Sequence, residues 1–260
     1  MIGVAEGDSW FDYPPAWFEL PKTKGDLLAH LMQMYDNKRY NIYRVSQAGD
    51  TLDNMAYGTE YHSKTWKPKP ASLEKTVEAI KKHDADFFVF SAGGNDVAGQ
   101  ELEALLNHKS SGLPALRPEA VDELFNVTIP SGFDHVIQEV RKAKPGIPVF
   151  IHGYGHTEPT GKAVINIPGG WRFVGPWLRP ALTKKRWLAK ATQKQIIRVL
   201  INRLNESLKD LAARHENVHF MDLRPILKQS DWINELHLNQ VGWTKVAKKF
   251  DAEMARVLGL

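Results

Sequence analysis

The sequence predicts an α/β fold in which helices cover a parallel sheet. Short apolar runs alternate with helical patterns, which is the arrangement expected of such a fold. The runs are continuous and bounded by glycine or charged residues, which favours strands buried on both faces. A chain of 260 residues with 43% hydrophobic residues has enough apolar side chains for one such core. The five runs are Ile2–Ala5, Tyr40–Val45, Asp86–Ser91, Ile147–His152 and Val218–Met221.

Four longer segments between or after these runs have helical periodicity. Apolar side chains recur every three or four residues along each of them, which places them on one face of a helix. Ser72 is expected to be the N-cap of the first helix, and the second stops at Pro145–Gly146, where a helix commonly ends. The helical segments are Lys75–Lys82, Ser131–Lys144, Ala189–Arg214 and Val241–Leu258.

Two segments, 100–130 and 154–188, interrupt the alternation of strands and helices. Both are rich in glycine and proline and are read as long loops. Loops of this length inside a compact domain are functional or disordered, and their apolar content argues against disorder. We therefore expect a single domain over residues 1–260, with these segments as insertions that form a lid or cap over a site.

The composition excludes several kinds of protein. There is no cysteine, and therefore no disulfide, no cysteine-ligated zinc and no cysteine nucleophile. No apolar run approaches the roughly 18 residues that span a bilayer, so we expect no stable membrane insertion. The first ten residues fit a short buried strand better than a signal peptide. The compartment stays open, either cytoplasmic or exported with a leader removed, and so does the oligomeric state.

The formal net charge is +4, and part of the excess forms one basic cluster before and within the long 189–214 helix. The cluster fits a solvated helix face or a docking surface for anionic lipid or polysaccharide. No nucleic-acid motif accompanies it, so no nucleic-acid partner is expected. His152, His156 and Glu158 fit a turn better than a metal site, and no metal or other cofactor is expected. The basic cluster consists of Lys184, Lys185, Arg186, Lys190, Lys194 and Arg198.

Four short blocks with chemically active side chains each follow a predicted strand. Sites in open α/β sheets form beyond the carboxyl ends of the strands, so residues far apart in sequence can converge there. Taken alone, each block also fits an ordinary turn. The blocks are Gly7–Trp10 (GDSW), Ser46–Thr51 (SQAGDT), Gly93–Asp96 (GGND) and Asn234–His237 (NELH).

The residue types in these blocks suit nucleophilic catalysis. A serine hydroxyl such as that of Ser9 is a poor nucleophile until a base accepts its proton, and His237 can be that base. Gly49 allows its backbone N–H to approach a ligand closely. The side chain of Asn95 can donate to a developing oxyanion, and Asp96 can brace the same loop.

Together the four blocks resemble the SGNH, or GDSL-like, hydrolase superfamily, whose markers are Ser, Gly, Asn and His in that order. Here they fall on Ser9, Gly49, Asn95 and His237, and the resemblance spans residues 3 to about 250. It implies a three-layer α/β/α sandwich with a five-stranded parallel sheet, of the flavodoxin-like type. It also implies that Ser9 attacks an ester carbonyl and that His237 takes its proton. The backbone N–H groups of Ser9 and Gly49 and the Asn95 side chain would then hold the oxyanion.

The sequence departs from the family pattern at one position. The family has an Asp three residues before the His, whereas this chain has Asn234. An amide oxygen can orient the imidazole ring but supplies no negative charge. Three alternatives stay open: Asn234 orients the ring, another acid takes the role (Asp231 first, Glu235 second), or a backbone carbonyl does so and leaves a Ser9–His237 dyad.

Three functions are compatible with this sequence. The first is a serine esterase that forms an acyl-enzyme, acting on small-molecule or lipid esters with short to medium acyl chains. The second is a carbohydrate acetyl esterase acting on polysaccharide, and the third is a noncatalytic binding module that keeps the fold.

An aromatic run directly after Ser9 would serve as core, as a wall of the site or as a pocket lining. The run consists of Trp10, Phe11, Tyr13, Pro14, Pro15, Trp17 and Phe18.

Overall fold

The structure is a computed structural model that describes residues 1–13, 24–36, 38–167, 171–173 and 175–260. Five parallel strands form its central sheet in the order β2-β1-β3-β4-β7. Strands β5 and β6 form a separate antiparallel ribbon. The strands are β1 Ile2–Gly7, β2 Asn41–Arg44, β3 Phe87–Ser91, β4 Val149–His152, β5 Ile165–Ile167, β6 Trp171–Phe173 and β7 Val218–Met221.

Helices cover the sheet in two layers. Helices α1 and α9 pack together in one layer, whereas α3, α6 and α8 form the other. A π-helical turn over Leu124–Thr128 joins α5 to α6. The helices are α1 Leu27–Gln33, α2 Leu52–Tyr57, α3 Ser72–His83, α4 Gly99–Ala104, α5 Pro118–Glu123, α6 Ile129–Ala143, α7 Arg179–Lys184, α8 Lys190–Arg214 and α9 Gln240–Leu258. The α/β sandwich with a five-stranded parallel sheet is therefore confirmed.

The core lies on both faces of the inner strands of the sheet, of which β3 and β4 are buried along their whole length. Every residue of Phe87–Ser91 and of Val149–His152 is buried. These strands contain phenylalanines, and fully burying one phenylalanine side chain stabilises a fold by about 1.5–3 kcal/mol. Gly3 pairs with Phe87 across β1 and β3, and a Cβ at position 3 would lie 2.3 Å from that ring. Glycine is needed at position 3 because the Phe87 ring occupies the space that a side chain would fill.

Three expectations about these elements are wrong. Strand β2 is at the edge of the sheet and is not buried on both faces, since Tyr43 is 49% exposed. Ser72 is the first residue of α3 and Ala71 is its N-cap, without a side-chain cap. The 100–130 segment is largely helical, because α4, α5 and the π-helical turn occupy most of it. Gly112 and Pro114 lie between these helices, and Pro118 is the first residue of α5, a position where proline is tolerated.

The 154–188 segment contains the β5–β6 ribbon and α7. Two members of the basic cluster form ion pairs that join this segment to its neighbours, Lys184 with Glu103 and Lys194 with Glu158. Among the residues that the structure describes, none of the helices has the length and apolar character to cross a membrane.

Candidate active site

The first and last of the four blocks meet at the carboxyl edge of the sheet. His237 Nε2 lies 2.7 Å from Ser9 Oγ, although 228 positions separate the two residues. Asn95 lines the same pocket as Ser9. Because β2, β1 and β3 are neighbours in the sheet, the segments that follow them, with Gly49, Ser9 and Asn95, emerge side by side. The distance between Oγ and Nε2 is a hydrogen-bond distance suited to proton transfer.

A tight turn presents the Ser9 hydroxyl. The backbone N–H groups of Phe11 and Asp12 both donate to the carbonyl of Asp8, at 3.1 Å each. The buried Asp8 carboxyl accepts from the Trp10 N–H, from Ser91 Oγ at 3.0 Å and from Tyr154 OH at 2.7 Å. Burial raises the pKa of Asp8 to about 6. Asp8 thereby ties the turn after β1 to the end of β3 and to the residues after β4.

His237 is buried between two aromatic rings. The ring of Tyr13 lies 4.3 Å from the imidazole and that of Trp177 lies 5.4 Å away, between centroids. Burial lowers the pKa of His237 to about 3, because removing the ring from water disfavours its charged form. The imidazole is therefore neutral at ordinary pH, which is the form that can accept a proton.

Asn234 fixes the orientation of that ring. Its Oδ1 accepts hydrogen bonds from the backbone N–H groups of Leu236 and His237, at 2.9 Å each, which identifies the amide oxygen. The same atom lies 3.1 Å from His237 Nδ1. An amide oxygen can only accept, so Nδ1 carries the single ring proton and Nε2 presents a lone pair to Ser9.

The two carboxylates considered as alternatives to Asn234 are bound by other groups. Asp231 accepts from Lys245 Nζ at 2.7 Å and from the Lys228 N–H at 2.8 Å. Glu235 is fully buried. Its two oxygens accept four backbone N–H groups, those of Gly161, Trp177, Leu178 and Arg179, at 2.7 to 3.2 Å.

Glu235 joins the 154–188 segment to the loop that carries His237. Three of its donors lie at the start of α7, and its own carbonyl accepts from Thr157 Oγ1 at 2.7 Å. Sequence reasoning missed this role, because backbone donors from a distant segment leave no signal in the residues around position 235. The consequence is that the wall of the site formed by Trp177 and Leu178 is attached to Glu235, two residues before His237.

The Gly49 loop is held from two sides. Asn95 Nδ2 donates to the Asp50 carbonyl at 2.7 Å, and Asp12 Oδ2 accepts from the Ala48 N–H at 2.9 Å. Gly49 itself has φ +86°, a conformation that L side chains rarely adopt. These bonds position the Gly49 loop relative to both the Ser9 turn and the GGND block. The contribution of Asp12 was not recognisable from the sequence.

Asp96, which was expected to brace its own GGND loop, also contacts the end of the Gly49 loop. Its carboxyl oxygens lie 3.1 and 3.3 Å from the N–H of Leu52, the first residue of α2. Burial raises the pKa of Asp96 to about 7.

An apolar pocket opens beside Ser9. It is a narrow cleft that is partly open to solvent. One side is formed by α8 and the other by the 154–188 segment and the turn after β3. The apolar residues that line it are Trp10, Val97, Leu178, Ile197, Leu200, Ile201, Leu204, Trp232 and Leu236.

The remaining residues singled out in the sequence lie near this pocket or support it. Trp10 and Tyr13 are buried beside the site, whereas Pro14, Pro15, Trp17 and Phe18 lie outside the described residues. His152 stacks on Trp10. His156 forms a hydrogen bond with Asn202, and Glu158 pairs with Lys194.

The fold and this arrangement define the class of protein. The structure resembles a lipase from a goat rumen metagenome (TM-score 0.60, 14% identity, 97% of this chain and 96% of that chain). It also resembles an extracellular lipase from Streptomyces rimosus (TM-score 0.56, 14% identity, 97% and 99%). A carbohydrate acetylesterase family member from Sinorhizobium meliloti is similar as well (TM-score 0.55, 14% identity, 100% and 100%). At these identities the likeness shows the SGNH hydrolase fold.

The family follows from a comparison of sequences. The GDSL-like lipase/acylhydrolase family matches residues 7–243. The chain belongs to that family, which confirms the resemblance found in its four blocks and supports a hydrolase. A search of curated proteins found no match.

Proposed function

We propose that this chain is a serine esterase that hydrolyses carboxylic esters through an acyl-enzyme. The observation that carries the proposal is the 2.7 Å separation between Ser9 Oγ and His237 Nε2. A neutral buried imidazole within hydrogen-bond reach of a serine hydroxyl is the pair that nucleophilic acyl transfer needs. Noncatalytic binding alone would not require this geometry.

In the first half of the reaction Ser9 Oγ attacks the ester carbonyl carbon while its proton passes to Nε2. The carbonyl oxygen becomes an oxyanion, which accepts hydrogen bonds from the backbone N–H groups of Ser9 and Gly49 and from the Asn95 amide. One N–H of that amide is used by the Asp50 carbonyl, and the other is assigned to the substrate. Collapse of the intermediate breaks the ester C–O bond, and the alcohol leaves with the proton from Nε2.

In the second half water replaces the alcohol. It gives a proton to Nε2 and attacks the acyl-Ser9 carbonyl, and collapse returns that proton to Ser9 Oγ and releases the carboxylic acid. Asn234 keeps Nδ1 protonated throughout, so that Nε2 is always the nitrogen that takes up the proton and gives it back. Because Asn234 supplies no negative charge, the imidazolium formed in each half of the reaction is less stabilised than one beside an Asp.

The apolar pocket supports an acyl chain of short to medium length as the group that Ser9 binds. Its lining by α8 and Leu178 contains many alkyl side chains and suits hydrocarbon better than a sugar ring. The 154–188 segment, bound through Glu235, serves as the lid of this pocket. Acetyl esters of polysaccharide are the second candidate, favoured by the likeness of the fold to a carbohydrate acetylesterase.

The test combines labelling with turnover. A fluorophosphonate should label the wild-type chain and not Ser9→Ala, with Ser110→Ala, an exposed serine in another loop, as the control that still labels. p-Nitrophenyl esters from acetate to decanoate, assayed beside acetylated xylan, should show highest kcat/KM at butyrate to octanoate. Absence of labelling at Ser9, or equal turnover by Ser9→Ala, would refute the esterase. Preference for acetylated xylan would select the second candidate.

A further inference from the structure

Residues 58–70 connect α2 to α3 and form a small projecting finger. Its two arms are joined by backbone hydrogen bonds from His62 to Lys67 at 2.9 Å and from Lys69 to Glu60 at 2.9 Å. The N–H of Trp66 donates to the carbonyl of His62 at 2.8 Å and closes the tip. These bonds give the finger a defined shape, although its side chains lie almost entirely in solvent.

Two aromatic rings are exposed on this finger. Trp66 is 73% exposed and Tyr61 is 52% exposed, and the rings stack with centroids 4.9 Å apart at an interplanar angle of 19°. Trp66 also has φ +56°, in the left-handed region that non-glycine residues rarely adopt. Adjoining exposed large aromatic side chains commonly mark an interaction surface.

The charge of the finger is positive. Glu60 at its base forms an ion pair with Lys69 at 2.7 Å. From Tyr61 to Pro70 the sequence contains no Asp or Glu, whereas Lys64 and Lys67 flank the ring of Trp66 in sequence and are exposed. The tip therefore combines two aromatic rings with two lysines. At the base, the charges of Glu60 and Lys69 neutralise each other.

The base of the finger is attached to the candidate oxyanion loop. Asn54 Oδ1 accepts from the Glu60 N–H at 3.0 Å, and Asn54 Nδ2 donates to Asp50 Oδ1 at 2.5 Å. Asp50 is the residue after Gly49, and its carbonyl accepts from Asn95. The finger therefore lies beside the Gly49 loop.

We propose that this finger docks the protein on the surface of a phospholipid bilayer that contains anionic lipid. Tryptophan and tyrosine favour the boundary between headgroups and acyl chains, because one part of each ring is apolar and another is polar. Lysines beside them are attracted to the negative surface. Because Tyr61 and Trp66 stack, one face of each ring is covered and a sugar cannot bind between them. This arrangement suits insertion at the surface of a bilayer better. The choice of lipid agrees with the proposed acyl pocket, and the docking itself needs no turnover.

The experiment measures binding in the Ser9→Ala background, so that it does not depend on catalysis. The protein is sedimented with vesicles of phosphatidylcholine alone and of phosphatidylcholine mixed with phosphatidylglycerol. We expect stronger binding to the mixed vesicles. Lys64→Gln with Lys67→Gln should weaken that binding by about fivefold for each lysine at low salt, and added salt should weaken the parent in the same way. Trp66→Ala should weaken binding at every salt concentration.

Leu113→Ala is the matched control, because Leu113 is 55% exposed in a different loop and should not change vesicle binding. When Ser9 is left intact, the Trp66 and lysine variants should hydrolyse soluble p-nitrophenyl butyrate like the wild type. Equal binding to both kinds of vesicle, or equal binding by the Trp66→Ala and Leu113→Ala variants, would overturn the proposal. So would Trp66-dependent binding to acetylated xylan without vesicle binding. If the wild-type chain binds vesicles but turns over no ester, the proposed esterase is refuted and the proposed docking surface is still supported.

Discussion

The amide oxygen of Asn234 lies 3.1 Å from Nδ1 of His237, at the position where related hydrolases have a carboxylate. Two backbone N–H groups hold that oxygen in place, so the imidazole is oriented without a neighbouring negative charge. The pKa of His237 is lowered to about 3 by burial, and Asn234 does nothing to raise it. The ring is therefore well placed and weakly basic.

Asn234→Asp should raise kcat on p-nitrophenyl butyrate. All three donors to Asn234 Oδ1 suit a carboxylate oxygen equally well, so the geometry can persist. The added charge stabilises the imidazolium, and the expected gain is about 10- to 10⁴-fold, the upper value being the cost of the reverse change in a triad that depends on its Asp. The same charge raises the pKa of His237, so the acid limb of the kcat/KM profile should move to higher pH. The measurement is kcat and kcat/KM of both proteins between about pH 3 and 9.

Two further variants separate Asn234 from its alternatives. Asn234→Ala should lower kcat, because the ring loses its acceptor. Asp231→Ala should lower the stability of the protein through the loss of the Lys245 ion pair. It should leave the acid limb of the pH profile of kcat/KM in place. A collapse of kcat on Asp231→Ala with a silent Asn234→Ala would assign the role to Asp231 instead.

Asn95→Ala tests the proposed oxyanion contact. Loss of one preorganised donor costs about 10²–10³ in kcat with little change in KM, because the bond strengthens only as charge develops. Asn107→Ala is a suitable control, since its amide also donates to a backbone carbonyl but lies in an exposed loop. A fall in kcat of similar size in both variants would remove the special role given to Asn95.

The positions of Ser9, Gly49, Asn95 and His237 could be anticipated because each follows a strand whose apolar run is visible in the sequence. The order of parallel strands then brings the ends of β1, β2 and β3 together. The contacts of Glu235 and Asp12 could not be anticipated, because their partners are backbone N–H groups of distant loops. Those groups are present at almost every residue, so nothing in the side chains marks which of them will meet a carboxylate.

Glu235→Gln should loosen the attachment of the 154–188 segment, the proposed lid. A glutamine has one acceptor oxygen, and its NH₂ group would face two of the four backbone donors. Each lost hydrogen bond to a charged group costs about 1.5–3 kcal/mol. We expect the KM for octanoate esters to rise by about tenfold, with a smaller change for acetate, and protease cleavage within 154–188 to become faster.

Glu103→Gln is the matched control for this prediction. Glu103 pairs with Lys184 of α7 at 2.8 Å on the surface, and such a pair contributes at most about 1 kcal/mol. Its removal should leave KM and cleavage unchanged. An equal rise in KM for acetate and octanoate in Glu235→Gln would mean that Glu235 supports the fold without positioning the acyl pocket.

Ile201→Phe should shorten the range of acyl chains that the enzyme accepts. Ile201 lies on α8 and lines the pocket, and each buried methylene contributes about 0.8 kcal/mol to binding of the chain. The larger ring should lower kcat/KM for octanoate relative to acetate by at least about tenfold, whereas Ile201→Val should lengthen the range slightly. The ratio of the two esters is the measurement, because it is independent of the amount of folded enzyme. An unchanged ratio would exclude this pocket as the acyl site.

Glu6→Gln should stabilise the protein at alkaline pH and have little effect in acid. Glu6 is buried at the end of β1, where its oxygens accept from the Gly7 N–H and from Thr76 Oγ1. Burial raises its pKa from the ordinary 4.5 to about 7. The folded state therefore binds this proton more tightly than the unfolded state does. Its contribution to stability is fully present below about pH 4.5 and is lost as the pH rises through about 7.

The loss corresponds to about 3 kcal/mol at about pH 8. Glutamine is neutral at every pH and can keep both hydrogen bonds, since Thr76 Oγ1 also accepts. Urea denaturation of the two proteins at about pH 5 and about pH 8 gives the comparison, with the exposed Glu74→Gln changing stability by less than about 0.5 kcal/mol at either pH. A Glu6→Gln variant that is destabilised equally at both pH values would show that packing around Glu6, and not its ionisation, decides the stability of this end of β1.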